Sequence, residues 1–522
     1  MVFKSPYPSA EIPNLSVPQM VYQHALQYGD KPAIIDGLSG RALSYAQLYN
    51  GVHCVAGNLA KRGLHKGEVV GLYSPNLPEY PLAYHGVALA GGVVTTANPL
   101  YTADELAYQL RDCQAKFLIT VGALLEKAIP AAQQAGVQEV FVIGEGEGAT
   151  PFTELLGAAE PPEVTIDPAE DLIALPYSSG TTGLPKGVML THRNLVANMA
   201  QVLASGVNLQ PDERVIGILP FYHIYGMLVI LNLCLYRGMT IVTMPRFDLE
   251  QFLKVMQDYQ ITRANLVPPI ILALAKHPVV DNYDLSHLKI IMSGAAPLSA
   301  ELAQACAERL GCIVMQGYGL TETSPVTHMN PEDPARIKLG SVGVPIANTE
   351  CAVVNLETGN PLGVREEGEI WIRGPQVMKG YLNNPDATAQ TLTPDGWLRT
   401  GDVGYVDEEG YFYIVDRVKE MIKYKGLQIA PAELEAVLLT HPAVADAAVV
   451  PSPDAEAGEV PKAFIVLKGQ ATAEELMEYV AQRVAPFKKI RRVAFVEQIP
   501  KSPSGKILRR VLAQQEREAA PH

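Results

Sequence analysis

A short tract in the first half of the chain combines hydroxyl groups, glycines and a lysine, the residue types that hold phosphate. It runs from Tyr177 to Gly187 and follows the apolar segment DLIALP, so we expect it to leave the end of a strand. The hydroxyl groups belong to Ser178, Ser179, Thr181 and Thr182, the remaining glycines are Gly180 and Gly183, and the charge belongs to Lys186. Glycines let backbone N–H groups approach an anion closely. The tract predicts a phosphate cradle that differs from a Walker A loop. A flexible Ser/Gly linker is the alternative, and the Leu-Pro-Lys-Gly end argues against it.

A second tract has the residue types of a nucleotide-binding wall. Its members are Gln316, Gly317, Tyr318, Gly319, Leu320, Thr321 and Glu322. The two glycines permit a flat wall, the tyrosine can stack on an adenine ring, and the threonine can bond a phosphate oxygen. The glutamate is a hard oxygen ligand suited to Mg²⁺. Taken alone, the tract is equally typical of an ordinary helix cap with a surface glutamate.

Two further residues have side chains suited to binding a nucleotide. Asp402, directly after Gly401, can accept hydrogen bonds from the vicinal hydroxyls of a ribose, although an aspartate in a turn is commonplace. Lys506, at the end of Ser-Pro-Ser-Gly-Lys, can offset the charge that builds in a phosphoryl-transfer step. The alternative for Lys506 is a solvated basic tail shared with Arg509 and Arg510.

Alternating strands and helices must position these residues. Residues 68–73, 92–97 and 117–121 are short apolar segments with helical patterns between them, and Thr102 with Glu105 predicts a capping box. This alternation continues to about residue 350 and predicts parallel sheets covered on both faces. After Cys351, short strands with Gly-, Asn- and Asp-rich turns predict an antiparallel sheet or small barrel.

A charged stretch, 416–426, separates this region from a compact unit of helices and strands at the end of the sequence. We place the domain boundary near Asp416–Lys419. A chain of 522 residues is too long for one hydrophobic core, so at least two domains are expected.

Composition narrows the partners and the compartment. The net charge is −14, which disfavours nucleic acid and anionic membranes as partners. The six cysteines form no CxxC pair, which is typical of reduced thiols in a cytosolic protein. Prolines interrupt the N-terminal segment, and no apolar run is long enough to span a bilayer. We therefore expect a soluble cytoplasmic protein without stable membrane insertion, as a monomer or homodimer.

Together, and in this order, the tracts resemble the motifs of the adenylate-forming superfamily, which includes acyl-CoA synthetases, 4-coumarate–CoA ligases, luciferases and adenylation domains. The resemblance covers essentially the whole chain. It implies an α/β fold with a large N-terminal region, 1–418, of two α/β/α subdomains plus a small β-barrel. A small mobile α+β C-terminal lid, 419–522, would carry the catalytic lysine. The implied activity is ATP-dependent carboxylate–CoA ligation through an acyl-adenylate, with ATP, Mg²⁺ and coenzyme A as cofactors and co-substrates.

The resemblance also implies roles for residues that no local pattern singles out. Arg417 would join Asp402 on the ribose, and Lys419 would be the hinge of the lid. Lys423 and Gln428 would contact the adenylate during thioester formation, and His223 would lie beside the acyl carbonyl. The implied coenzyme A contacts are Arg246, Lys425 and Gly426.

The acid pocket is likewise implied by the resemblance. Its expected residues are Tyr225, Val229, Asn265, Ala295, Gly317, Gly319, Pro325, Val326, Thr327 and Met329. The chain looks closest to 4-coumarate–CoA ligases, which implies an aromatic acid of the 4-coumarate or cinnamate type. It departs from them at Leu228, Val229 and Met292, where plant enzymes often carry polar side chains. A more apolar pocket suits a medium- or long-chain fatty acid equally.

Other readings of the same motifs stay open at this stage. A luciferase-like oxygenase shares the fold, and an enzyme that loads a carrier-protein thiol shares the first half-reaction. A non-catalytic binding protein is disfavoured because Lys186, Glu322, Asp402 and Lys506 are all present. A serine hydrolase is disfavoured because there is no GxSxG elbow.

Overall fold

The structure of the protein is a computed structural model that describes residues 1–178, 185–424, 427–454, 457–502 and 505–519. The predicted phosphate-binding residues Ser179, Gly180, Thr181 and Thr182, and the predicted coenzyme A contacts Lys425 and Gly426, lie outside the described residues. The side chain of Gln428 also lies outside the description. In the described part of the chain, no helix is both long enough and apolar enough to cross a bilayer.

Strands and helices alternate along the described chain. The strands are β1 (Val2–Lys4), β2 (Pro32–Asp36), β3 (Ala42–Ser44), β4 (Val69–Tyr73), β5 (Val93–Ala97), β6 (Phe117–Val121), β7 (Glu139–Ile143), β8 (Thr150–Pro151), β9 (Leu172–Ala174), β10 (Tyr177–Ser178), β11 (Lys186–Thr191), β12 (Arg214–Gly217), β13 (Thr240–Thr243), β14 (Arg263–Leu266), β15 (Ile290–Ser293), β16 (Ile313–Gly319), β17 (Val326–Met329), β18 (Val344–Pro345), β19 (Glu350–Val354), β20 (Gly368–Arg373), β21 (Gly380–Tyr381), β22 (Leu398–Val406), β23 (Phe412–Arg417), β24 (Ile422–Tyr424), β25 (Leu427–Ile429), β26 (Val444–Asp454), β27 (Gly458–Leu467) and β28 (Arg492–Phe495). The helices are α1 (Val17–Tyr22), α2 (Ala25–Tyr28), α3 (Tyr45–Lys61), α4 (Tyr80–Leu89), α5 (Ala103–Asp112), α6 (Leu125–Ala135), α7 (His192–Ala204), α8 (Leu233–Tyr236), α9 (Leu249–Asp258), α10 (Pro268–Lys276), α11 (Ala300–Leu310), α12 (Pro385–Thr391), α13 (Pro431–Leu439), α14 (Ala473–Ala481) and α15 (Arg509–Ala519).

Two large sheets form the body of the N-terminal region. In the described residues each has nine strands: one follows the order β10-β11-β9-β5-β4-β6-β7-β8 with β21 added beside β11, and the other follows β18-β17-β16-β15-β14-β12-β13-β2-β3. The central strands of both sheets are parallel. Strands β4 and β5 are buried along their whole length, as expected for strands covered on both faces. The predicted parallel α/β organisation is confirmed, and so is the capping box in which the Thr102 side chain accepts from the Glu105 N–H.

A third, smaller sheet packs beside them. Its strand order is β1-β19-β20-β22-β23, and each neighbouring pair is antiparallel. The alternating burial of β20 shows one face on a core and one face more open. No pairing joins β1 to β23 in the described residues. Of the two forms predicted from the sequence, an antiparallel sheet or a small barrel, the antiparallel sheet is confirmed, and the small barrel that the resemblance implies is not closed. With three residues, β1 has little length on its other edge for a second ladder.

The C-terminal unit has its own sheet and its own core. Strands follow the order β25-β24-β27-β26, with β28 parallel to β27. Helices α13 and α14 pack on this sheet around a separate hydrophobic cluster that includes Ile422, Leu434, Leu438 and Leu476. The predicted small α+β unit is confirmed. The boundary at 418/419 stays a prediction, in the turn between the end of β23 and the start of β24.

Candidate active site

A cavity of about 1540 Å³ lies between the N-terminal region and the C-terminal unit. Asn98 and Gly294, which directly follow β5 and β15, are among its lining residues. Crevices at the carboxyl ends of parallel strands are where open α/β sheets bind ligands. Lys506 and Ile507 close the cavity from the C-terminal side. Two separately folded units therefore supply one site.

The phosphate-binding tract begins and ends in a β-hairpin. Strands β10 and β11 pair so that Tyr177 faces Gly187 and Ser178 faces Lys186. A Cβ on Gly187 would lie 3.1 Å from the Tyr177 ring, so glycine lets that ring pack closely. Both Ser178 and Lys186 line the cavity. The two ends of the predicted phosphate cradle therefore lie at the cavity.

Glu322 faces the same part of the cavity from a short 3₁₀ turn, Thr321–Thr323. Its Oε1 accepts a hydrogen bond from the Tyr381 hydroxyl at 2.8 Å and another from Ser178 Oγ at 3.3 Å. Burial, together with the Glu322 carboxylate, raises the pKa of Tyr381, so its hydroxyl stays a proton donor. The ammonium of Lys186 lies 4.9 Å from the Tyr381 ring centroid. Tyr381 therefore holds the predicted metal ligand and the predicted phosphate lysine together.

The predicted ribose pair is formed by neighbouring strands. Asp402 on β22 and Arg417 on β23 are cross-strand partners, and Arg417 Nε lies 3.3 Å from Asp402 Oδ1. The Tyr318 hydroxyl donates to Asp402 Oδ2 at 2.5 Å. Asp402 is 4% exposed, and burial, followed by this carboxylate, raises the pKa of Tyr318. Tyr318 and Arg417 line the cavity, and Asp402, which does not, holds both of them in place.

Lys506 reaches the cavity on a tight turn. Its N–H donates to Ser502 Oγ at 3.1 Å, and the Ser502 N–H donates to its carbonyl oxygen at 2.8 Å. Gly505 has φ +77°, and a Cβ there would lie 3.0 Å from Val267 of the N-terminal region. Burial first, and then the Arg417 and Arg509 guanidiniums, lower the pKa of Lys506 to about 8. The carboxylates of Glu420 and Asp402 act in the opposite direction but do not outweigh burial and the two guanidiniums. A bound polyphosphate would add negative charge and favour the ammonium form.

A buried ion cluster sits behind Lys506. Arg509 donates to both carboxylate oxygens of Glu435, at 3.1 and 2.6 Å, and also bonds Glu420. It lies 3.9 Å from Asp416, whose other oxygen accepts from the Ala432 N–H at the start of α13. Burial raises the pKa of both Asp416 and Glu435. The cluster joins the end of β23, the turn after it and the start of α15, three residues from Lys506.

The predicted acid pocket occupies the inner part of the cavity. Its lining residues include Tyr225, Val229, Asn265, Met292, Ala295, Gly317, Gly319, Pro325, Val326 and Met329. The Tyr225 hydroxyl donates to the Met292 carbonyl at 3.1 Å, which fixes the ring. A Cβ on Gly319 would lie 2.0 Å from the Pro325 carbonyl oxygen, so only glycine fits there. Thr327 and Leu228 do not line the cavity. Thr327 instead donates to the Tyr318 carbonyl at 3.1 Å.

His223 lies at the junction of the acid pocket and the phosphate region. It lines the cavity, and its Nδ1 accepts from the Tyr225 N–H at 3.3 Å. Burial, and then the Lys506 ammonium, lower the pKa of His223 to about 4. The imidazole is therefore neutral near pH 7, with Nδ1 an acceptor and Nε2 available as a donor.

Several predicted site residues lie elsewhere. Gln316 does not line the cavity, because its amide nitrogen donates to the Leu298 carbonyl and its amide oxygen accepts from the Leu298 N–H. Arg246 is exposed on the loop after β13. Lys423 is exposed on β24 and pairs with Gln428 through the backbone. Two others do line the cavity: Thr321, and Lys419, which is exposed at its rim.

Sequence reasoning missed Tyr381 and Arg509. Tyr381 comes to Glu322 because β21 pairs with β11, a contact across almost 200 residues that no local pattern signals. Arg509 belongs to the cluster Lys506, Arg509 and Arg510, for which a solvated tail was the alternative interpretation. Glu435, the acidic partner of Arg509, lies 74 residues away in the chain.

Two family comparisons agree with this site. The AMP-binding enzyme family matches residues 21–382, and the AMP-binding enzyme C-terminal domain matches residues 433–506. The chain therefore belongs to the AMP-binding enzymes, and the resemblance stated from its motifs is confirmed.

Individual relatives extend over nearly the whole chain. It is 44% identical to 4-coumarate–CoA ligase 1 of Petroselinum crispum, over 98% of this chain and 96% of the relative. It is 43% identical to 4-coumarate–CoA ligase of Pinus taeda, over 98% and 97%. Among solved structures, the anthranilate CoA ligase AuaEII in complex with anthranoyl-AMP matches with a TM-score of 0.91 and 28% identity, over 97% of this chain and 98% of that one. ATP-bound MatB from Rhodopseudomonas palustris matches with a TM-score of 0.86 and 30% identity, over 96% and 99%.

Proposed function

We propose that this protein is an AMP-forming carboxylate–CoA ligase that activates an aromatic acid with ATP and transfers the acyl group to coenzyme A. The observation that carries the proposal is that Lys506 and Arg417, the ion-pair partner of Asp402, line the same cavity as Ser178, Lys186 and Glu322. The 4-coumarate–CoA ligases among its relatives support an acid of the 4-coumarate or cinnamate type.

In the first half-reaction a carboxylate oxygen attacks the α-phosphorus of ATP. An O–P bond forms to give the acyl-adenylate, and the bond to the β-phosphate oxygen breaks to release pyrophosphate. Lys506 offsets the negative charge that gathers on the α-phosphate. Asp402 accepts from the ribose hydroxyls while Arg417 keeps that carboxylate in place. Catalysis in this step is positioning and electrostatics rather than acid–base chemistry.

Glu322 is suited to hold Mg²⁺ for this step. In the described residues no group of three acidic, histidine or cysteine side chains could enclose a metal. Mg²⁺ at nucleotide sites is ordinarily held by one or two carboxylates together with phosphate oxygens and water. The Glu322 carboxylate, held by Tyr381 and Ser178 on the cavity wall, fits that requirement. When bound, the ion would neutralise phosphate charge.

In the second half-reaction the thiol of coenzyme A attacks the acyl carbonyl. A C–S bond forms, the thiol proton is lost, and AMP leaves with the carbonyl–oxygen bond electrons. We infer that the lid turns about Lys419, which withdraws Lys506 and brings Lys423 and Gln428 to the adenylate. The neutral His223 imidazole lies beside the acid pocket without placing a second positive charge there. We also propose that the protein works in the cytoplasm, where its six cysteines, none of them in a disulfide, stay reduced.

The test is AMP release from ATP with 4-coumarate, cinnamate and small acids, each with and without coenzyme A. The proposal expects AMP only when an acid is present, a faster rate with coenzyme A, and a preference for the two aromatic acids. AMP release that is indifferent to coenzyme A would contradict the transfer step. A preference for acetate would contradict the acid class.

A further inference from the structure

The acid pocket continues inward past the residues that an aromatic acid would contact. The same cavity is lined, deeper in the N-terminal region, by Val202, Val207, Leu209, Val215, Leu233, Cys234 and Met239. All of these side chains are apolar, and all but Val207 are buried. We call this space the deep chamber. Three walls connect it to the acid pocket.

The first wall is helical. A π-helix over Gly226–Asn232 leads directly into α8. Tyr225, Val229 and Leu233 follow at intervals of four residues and all line the cavity. Residues spaced by four lie on one face of a helix, one turn apart. The Cys234 thiol donates to the Val229 carbonyl at 3.4 Å, so the acid-pocket turn and the deep-chamber turn are directly bonded.

The second wall consists of strands β14 and β15. These strands are paired in parallel, with Asn265 beside Met292 and Arg263 beside Ile290. Residues two apart on a strand point to the same face. Arg263 and Ile290 therefore extend the wall of Asn265 and Met292 inward by about 6.6 Å, two residues of strand rise.

The third wall runs along β17 and the residues after it. Val326, Met329 and Glu332 line the cavity in turn. Each wall thus passes from the acid pocket to the deep chamber without interruption, and two of them end on charged residues that contact one another.

Those charged residues form the floor of the chamber. Arg263 Nη1 and Nη2 donate to the Glu332 carboxylate at 2.6 and 3.0 Å, and Nε donates to Glu213 at 2.9 Å. Nη2 also donates to the Asn208 carbonyl at 2.6 Å. The side chains of Arg263, Glu213 and Glu332 are 10%, 6% and 8% exposed. One guanidinium against two carboxylates leaves a net charge of −1, so the floor disfavours an anion.

Beyond the floor lies a second, outward-facing cavity. Its volume is about 310 Å³. Arg263 and Glu332 line both cavities, whereas Glu213 and Asn208 line the second one and support the cluster from that side. The ion cluster is therefore a partition between the acid channel and the opposite surface. A partition of this kind would limit the length of the acid that the channel can bind.

We propose that the deep chamber receives the uncharged apolar tail of a longer acid, with medium-chain fatty acids as the simplest case, and that the Arg263–Glu213–Glu332 cluster sets the length limit. This inference rests on the proposed ligase activity and enlarges its substrate class. A cinnamate-type acid occupies the pocket above the chamber. A straight-chain acid extends through the channel to the floor.

The first experiment compares kcat/KM for acid-dependent AMP release across straight-chain acids of six to fourteen carbons, with cinnamate as the reference. The structure predicts that kcat/KM rises with each added methylene until the tail meets the floor, and then falls. Each methylene buried in an apolar pocket is expected to raise this ratio by roughly fourfold. A dicarboxylic acid of the optimal length is expected to be at least about tenfold poorer than the monoacid, because its second carboxylate would be desolvated beside a floor of net charge −1.

The second experiment fills the chamber. Val207→Phe is expected to lower kcat/KM for the optimal straight-chain acid by about tenfold, because a ring displaces several methylenes of the tail. Its kcat/KM for cinnamate is expected to stay within about threefold of the wild type. Val137→Phe, a half-buried valine against a different hydrophobic cluster, is the matched control and should leave both ratios unchanged. Cys234→Phe, which changes a different residue of the deep chamber, repeats the test if Val207→Phe folds poorly.

Two outcomes would overturn the inference. One is a wild-type enzyme that turns over cinnamate but no straight-chain acid longer than six carbons. The other is a Val207→Phe enzyme whose preference between long acids and cinnamate equals that of the wild type. Both leave the ligase proposal intact, whereas absence of AMP release with every acid would contradict the ligase proposal itself.

Discussion

Lys506 is held in surroundings that weaken its own positive charge. Arg417 and Arg509 lie close enough to disfavour the ammonium, and burial acts in the same direction, so its pKa falls to about 8. A lysine is charged below its pKa and neutral above it. The charge that assists adenylation is therefore present at neutral pH and is lost as the pH rises through about 8.

The pH profile of the first half-reaction, adenylation, should therefore fall on its alkaline side. The kcat/KM for ATP in acid-dependent pyrophosphate exchange should fall by about tenfold per pH unit above pH 8, since this ratio reports groups of the free enzyme. Lys506→Arg keeps its charge at these pH values, so it should be slower overall but lack this alkaline fall. The measurement is the exchange rate between pH 6.5 and 10 for both enzymes. An identical alkaline fall in the arginine variant would assign the titration to another group.

Asp402 is the residue on which the nucleotide wall depends. It receives the Tyr318 hydroxyl and pairs with Arg417 while almost fully buried. Asp402→Asn removes the charge and keeps the shape. It should raise the KM for ATP by about tenfold or more, the loss expected for hydrogen bonds to a charged group, and change the KM for the acid much less.

Steady-state AMP release against ATP concentration measures this effect. Asp395→Asn, an exposed aspartate on the loop before β22, is the control and should match the wild type. An unchanged KM for ATP in Asp402→Asn would show that the ribose is bound elsewhere.

At the scale of the elements, the turn carrying Lys506 is anchored through α15. Arg509 begins that helix and contacts Glu435 on α13 and Glu420 in the turn after β23. Asp416 adds a hydrogen bond to the start of α13. Because these contacts join the lid to the strand that carries Arg417, they position Lys506 relative to the ribose pair.

Arg509→Ala should therefore slow adenylation specifically. We expect its rate of pyrophosphate exchange to fall by about tenfold or more, because the variant leaves buried carboxylates without their cation and frees the Lys506 turn. Its rate of thioester formation from supplied acyl-adenylate should change by less than about threefold. Arg483→Ala, an exposed arginine just after α14, is the control. Equal losses in both half-reactions would reduce Arg509 to a structural role.

The elements also show where sequence reasoning succeeds and where it stops. The parallel sheets follow from apolar segments that alternate with capped helices. Asp402 was expected from its position after a glycine, whereas Arg417 was expected only from the family resemblance. For the third sheet, local patterns left an antiparallel sheet and a small barrel open, because closure depends on the edge strands β1 and β23, which are far apart in the chain. Gln316 was expected in the nucleotide wall, yet its amide satisfies the Leu298 backbone. Contacts of this kind, like the ion pair of Arg509, join distant segments, and local patterns carry no signal for them.

At the scale of the whole molecule, one face of the lid meets the cavity and another faces away. Lys506 closes the cavity, and its neighbour Gly505 packs against Val267 of the N-terminal region. Lys423 is exposed on β24 and does not line the cavity. This arrangement is the one that the proposed adenylation step would need. If thioester formation involves the proposed rotation of the lid about Lys419, that rotation would alter the ionic contact of Asp416 with Arg509.

The most direct test of this account measures the two half-reactions separately in Lys506→Ala and Lys423→Ala. We predict that Lys506→Ala loses pyrophosphate exchange by about a hundredfold or more, yet converts supplied acyl-adenylate and coenzyme A to thioester at nearly the wild-type rate. Lys423→Ala should show the reverse, with exchange retained and thioester formation reduced by about tenfold. If each variant lost both half-reactions equally, the two faces of the lid would not have separate roles, and the account would be contradicted.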